Sequence, residues 1–75
     1  MSKGGGNKLN LNLKFRRIER GYSQKELASM VGVTNQTISN YERNKIRPSY
    51  ENMKKISKIL DSSVDELFYS GEWEA

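Results

Sequence analysis

The 75-residue chain contains no cysteine, no histidine and one proline. Without cysteine there are no disulfides and no thiolate metal sites, and without histidine the imidazole ligands go as well. The Cys-His and Ser-His-Asp nucleophile pairs are excluded on the same grounds. Catalytic, cofactor-binding and metal-binding residues are therefore assigned to none. No apolar run approaches the roughly 18 residues of a membrane span, and the N-terminus lacks the apolar stretch of a secretory signal. The composition leaves a soluble, intracellular, single-domain protein without enzymatic activity, near the lower size limit for a core held together without staples.

What the chain does have is base. The net charge of +4 conceals +9 over residues 1–60, where all 13 Lys and Arg lie, and −5 over residues 61–75, which hold Asp61, Asp65, Glu66, Glu72 and Glu74 and no base. A basic body with an acidic end suits a polyanionic partner, and it equally suits a solvated surface kept soluble by charge.

Residues 1–9, with Gly4, Gly5 and Gly6 in a row, read as a flexible arm, residues 10–69 as one folded domain, and residues 70–75 as an acidic tail. The glycines form no phosphate-cradling loop, because no Gly-Lys-Ser/Thr follows them. From Asn10 onward the apolar spacing is helical. Leu13, Arg17 and Ile18 fit one stripe of a first helix that Gly21 stops. Ser23 followed by Glu26 is a capping box opening a second helix, with Leu27, Ala28 and Val31 inward and Gly32 at its end. Thr34 caps a third helix carrying Ile38 and Tyr41 inward, and Asn44 ends it. Pro48 and Ser49 open a fourth, with Met53, Ile56 and Leu60 inward. Ser63 and Glu66 form a second capping box, for a short fifth helix with Val64, Leu67 and Phe68. The expected fold is all-α: five helices around one core. The short Gly32-Val33 link between the second and third helices fits a helix-turn-helix, and it also fits any αα-corner of a small bundle.

From Arg17 to Phe68 the residues resemble the Cro- and phage-repressor-type helix-turn-helix regulators, the XRE family. The resemblance runs through Gly21-Tyr22-Ser23-Gln24-Lys25-Glu26-Leu27-Ala28, Gly32-Val33-Thr34-Asn35-Gln36-Thr37-Ile38-Ser39, Tyr41-Glu42-Arg43-Asn44-Lys45 and Arg47-Pro48-Ser49. It ends on Ser63-Val64-Asp65-Glu66-Leu67-Phe68. Asn44 and Asp61 stand where the family usually has glycine. The resemblance implies a compact, lambda-repressor-like DNA-binding domain whose third helix enters the major groove.

The side chains of the third helix agree. With Ile38, Tyr41 and Glu42 inward, it exposes Asn35, Gln36, Ser39, Asn40 and Arg43. Amides suit base edges, whereas a merely solvated helix face favours Lys and Glu. The second, fourth and fifth helices each carry an acid in the first turn and the third carries none, which keeps carboxylate away from a DNA phosphate. By resemblance, Gln36 and Asn40 read bases, joined by Asn35 and Thr37. Gln24, Asn35, Arg43, Lys45 and Arg47 meet the phosphate backbone, and Gln24 also braces the third helix. The resemblance also implies a largely buried ion pair between Arg17 and Glu42, a structural role that takes Glu42 out of consideration as a catalytic acid.

The leading functional reading is a sequence-specific transcriptional repressor that binds a two-fold double-stranded DNA operator as a homodimer, in the cytoplasm of a bacterium or phage-infected cell. The second is an interaction module, or an antitoxin-like subunit whose tail, with Trp73, takes a protein partner. Tyr69 and Trp73 could fold back, enter a dimer contact or hang free. The Asn35-Gln36-Thr37 glycosylation pattern lies on a helix of an apparently cytosolic protein and is set aside. An RNA-binding role would call for aromatic stacking platforms, which the third helix lacks.

Overall fold

A computed structural model describes residues 9–69. The arm expected over residues 1–9 falls, except for Leu9, outside the described residues, and so do the tail at 70–75 and Trp73. Five helices and no strand make up the described part: α1 (Leu11–Glu19), α2 (Gln24–Val31), α3 (Asn35–Glu42), α4 (Tyr50–Leu60) and α5 (Asp65–Tyr69).

Each helix starts where a side chain can satisfy its free N–H groups. Ser23 Oγ accepts from Glu26 N, while Glu26 Oε1 accepts from Ser23 N at 2.8 Å, so the predicted capping box is complete. Thr34 caps α3 through Thr37 N, and Ser49 caps α4 through Asn52 N. The Ser63 and Glu66 box is also closed in both directions. The short helix it opens is wound as a single π-type turn. Its late carbonyls are used by α1: Asn12 Nδ2 donates to Glu66 O and Asn10 Nδ2 to Leu67 O.

The first four helices end alike. Within two residues of the last helical residue the chain takes a left-handed conformation, at Gly21 (φ 85°), Gly32 (φ 91°), Asn44 (φ 58°) and Asp61 (φ 54°). After α3, Lys45 N donates to Asn40 O and Asn44 N to Tyr41 O, the paired bonds of a Schellman motif. Ser62 N to Ser57 O and Asp61 N to Lys58 O repeat it after α4. The two positions without the family's glycine thus keep the glycine geometry, at the steric cost of a β-carbon in that region. Gly32 matters most, since its φ turns the chain from α2 into α3 within three residues.

The core is made of Leu13, Leu27, Ala28, Val31, Ile38, Tyr41, Met53, Ile56, Leu60, Leu67 and Phe68, with Val64 packed at its edge. Fully burying a side chain such as Ile38 contributes about 1.5–3 kcal/mol. Ile18 departs from expectation. It is exposed, because α1 turns Leu13 and Arg17 inward and carries a second apolar face outward. Asn10, whose side chain the sequence did not single out, is buried and joins three elements. Its Oδ1 caps α1 through Leu13 N, its Nδ2 holds α5, and its backbone N–H donates to Glu42 O at the end of α3.

The fifth-helix cap sets a pH dependence. The Glu66 carboxyl lies below its usual range, first because Ser63 N–H donates to it and next because the Ser62 hydroxyl does. A lowered folded-state pKa means that the carboxylate stabilises the fold above the unfolded value and that this contribution is lost as pH falls through the folded value. A carbon-detected NMR titration should therefore give Glu66 a midpoint below that of an ordinary glutamate. Amide shifts of Ser63 and Glu66 should move with that midpoint.

Candidate nucleic-acid interface

α2 and α3 form a helix-turn-helix whose outer surface is built on a buried ion pair. Arg17 Nε donates to Glu42 Oε2 at 2.5 Å and Arg17 Nη2 to Glu42 Oε1 at 3.3 Å, with both side chains nearly buried. Arg17 Nη1 also donates to Tyr22 O at 2.7 Å, clamping the turn that precedes α2. The expected pair is therefore present, and it is a fork of donors against a two-oxygen acceptor, the strongest charge-assisted geometry available to these side chains.

The same carboxylate reaches outward. Gln24 Nε2 donates to Glu42 Oε1 at 3.0 Å, so the first side chain of α2 is held against the end of α3. This is the brace on the third helix that the resemblance implied for Gln24, and its acceptor, 18 residues away, is Glu42. It orients an amide whose second N–H can still serve an external acceptor.

On α3, Asn35 and Gln36 are exposed, as is Arg43 just past its end, whereas Thr37, Ser39 and Asn40 are half-buried. Gln36 Nε2 donates to Asn40 Oδ1 at 3.2 Å, one turn along the helix. Among the described residues, Gln36 Oε1 and the Asn40 amide hydrogens have no hydrogen-bond partner. Thr37 is brought to this face only in part, because its hydroxyl is engaged with the hydroxyl of Thr34 at 2.9 Å. No acid stands in the first turn of α3. The first turn of α1 lacks one too, so the feature is not peculiar to α3.

The left-handed turn at Asn44 reverses the chain and carries Lys45 and Arg47 outward beside the end of α3, both exposed. The Arg47 guanidinium lies 5.2 Å from the centre of the Tyr69 ring, and the Tyr69 hydroxyl donates to Met53 Sδ. Tyr69 thus folds back onto the body, one of the three placements left open for it. Gln24, the α3 amides, Lys45 and Arg47 are consequently arranged in order from the start of α2 to the turn after α3. Among the described residues no group of acidic side chains is disposed to hold a metal ion.

A helix-turn-helix family profile matches residues 13–67. The transcriptional regulator SinR of Bacillus licheniformis is 40% identical over 74 aligned residues, covering 83% of this chain and 67% of SinR. Against further Bacillus subtilis regulators, the chain spans 51% and 50% of their length. The repressor c2 of Salmonella phage P22, solved in complex with a synthetic operator, superposes with a TM-score of 0.77 at 36% identity, covering 83% of this chain and 96% of that one. A SinR protein/SinI protein complex superposes with a TM-score of 0.74 at 36% identity, covering 87% of this chain and 64% of that one.

Proposed function

The chain belongs to the helix-turn-helix family of Cro- and phage-repressor-type regulators, and on that premise we propose that it is a sequence-specific transcriptional repressor placing α3 in the major groove of double-stranded DNA. The observation that carries this reading is the outward face of α3. It presents amides and no carboxylate, between a pinned Gln24 on one side and Lys45 on the other.

Gln36 and Asn40 read base edges, flanked by Asn35 at the helix start. Thr37, with its hydroxyl engaged by Thr34, contributes its methyl group, the part suited to a thymine methyl. Gln24, Asn35, Arg43, Lys45 and Arg47 meet phosphates and fix the orientation without reading sequence. One such small surface contacts too few base pairs for genomic specificity, so binding is as a homodimer on a two-fold operator with half-sites about 34 Å apart. Its place is with the DNA of a bacterial or phage-infected cytoplasm, and no catalytic step is assigned to it. The complex of SinR with SinI supports a protein partner as the second reading for regulators of this kind. For this chain that partner would engage the tail at 70–75.

Selection of bound sequences from a random DNA pool at near-physiological salt tests the proposal. A recovered two-fold motif is the expected result, and its centre-to-centre spacing gives the dimer geometry. Weak, salt-sensitive binding with no enriched sequence would overturn it in favour of the partner-binding reading. On the recovered operator, Lys45→Ala should weaken all sequences together and reduce the slope of log K against log salt by about one.

A further inference from the structure

α1 is apolar on two sides. Leu13 and Arg17 face the core, while Leu11, Phe15 and Ile18 are 41%, 57% and 53% exposed. At 3.6 residues per turn those three lie about 140–200° around the helix from Leu13, directly away from the body. Their spacing of four and then three is that of a coiled-coil seam, with Leu11 and Ile18 at d positions and Phe15 at a. Lys14 is then the flanking g residue and Glu19 the flanking e residue.

The flanking charges select an occupant. In a parallel pair of identical helices, each g residue meets the e residue five positions on in the other helix. Lys14 would meet Glu19 of a second copy, twice by symmetry. In an antiparallel pair the g flanks face each other, which sets lysine against lysine. Among the described residues Lys14 has no ion-pair partner. Glu19 is 67% exposed, and only its Oε1 is engaged, by Arg16. We propose that the outward face of α1 is a homotypic docking surface that takes α1 of a second copy in parallel.

The contact is weak by construction. Three half-exposed side chains on a nine-residue helix bury far less than the roughly 800 Å² per partner of a stable complex. It gains force where copies are already held close together, as on neighbouring DNA sites. It is separate from the proposed DNA-reading surface. α3 is fastened to the opposite side of α1 by the Arg17–Glu42 pair and by Asn10, so pairing through Leu11, Phe15 and Ile18 leaves both copies of α3 uncovered.

Amide NMR spectra of the full chain, recorded without DNA from low micromolar to millimolar concentration, test this. The expected result is concentration-dependent shifts at Leu11, Lys14, Phe15, Ile18 and Glu19. Phe15→Lys should weaken the association at least about tenfold, by placing a charge in the seam. It should leave affinity for an isolated half-site unchanged. Lys14→Glu sets carboxylate against carboxylate and should also weaken it, while Lys14→Glu with Glu19→Lys restores it. Each substituted position is exposed or half-exposed, and a dispersed amide spectrum verifies the fold. Shifts confined to another surface, no shifts up to millimolar concentration, or failure of the double exchange to restore association would each overturn the proposal.

Discussion

Arg17→Met should destabilise the domain by about 3–5 kcal/mol, because it strands the Glu42 carboxylate in the interior with its strongest partner gone. For a chain of this length the whole unfolding free energy is roughly 4–11 kcal/mol, so the variant should lose about a quarter of its stability or more, and at the lower end of that range it is partly unfolded under ordinary conditions. Glu42→Leu should do comparable damage by stranding the guanidinium. The two together should return most of the loss, since neither charge is left to be desolvated. Urea denaturation followed by circular dichroism gives all four free energies of the cycle. A double variant as unstable as the sum of the singles would show no coupling between the two side chains, contrary to this expectation.

The double variant separates folding from DNA binding. It keeps a core but removes the oxygen to which Gln24 donates at 3.0 Å. Gln24 then regains its rotamers, and ordering it against a phosphate costs side-chain entropy that the wild-type chain has already lost in folding. Operator affinity should therefore fall in a variant whose stability is close to normal. The loss should be shared by all sequences, as for any phosphate contact.

Most of the helical frame was legible in the sequence because its signals are local. Ser23 with Glu26, Thr34, Ser49, and Ser63 with Glu66 mark helix starts through bonds three residues long. Gly21 and Gly32 mark ends through their backbone freedom. What could not be read depends on distance or on which of two faces wins. Asn10 looks like an ordinary polar residue before α1, yet it bonds across 57 residues to Leu67. The resemblance implied that Gln24 braces α3, but that Glu42 Oε1 is its acceptor emerges only when α2 and α3 are packed. α1 has two stripes that satisfy helical periodicity, and the more apolar of them, Leu11, Phe15 and Ile18, is the one facing solvent. Periodicity cannot resolve that choice. The ion pair of Arg17 does, because a guanidinium bonded to Glu42 must lie inside. The resemblance pointed to the Arg17–Glu42 pair and to Gln24 as a brace on α3, but not to the Gln36–Asn40 and Thr34–Thr37 bonds, which limit what Thr37 and Asn40 can offer to DNA.

Gln36→Ala should relax specificity at one base pair, removing about 1–3 kcal/mol of discrimination there, or roughly fivefold to more than a hundredfold in relative affinity. Gln36 is exposed on the outer face of α3 with its Oε1 uncommitted, and it retains one N–H beyond the bond to Asn40. An acceptor and a donor side by side are what adenine N6 and N7 require. Asn40 differs, since its Oδ1 is held by Gln36 and it faces outward as a donor, suited to guanine or thymine oxygens. Removing Gln36 frees that oxygen, so a smaller change in preference should appear at the base pair read by Asn40. Competition binding against every single-base variant of the selected operator measures both effects. Lys45→Ala on the same set serves as the contrast, because a phosphate contact shifts all variants by one common factor. If Gln36→Ala also lowers every affinity by one common factor, Gln36 is a backbone contact and the base-reading role passes to Asn35 and Asn40.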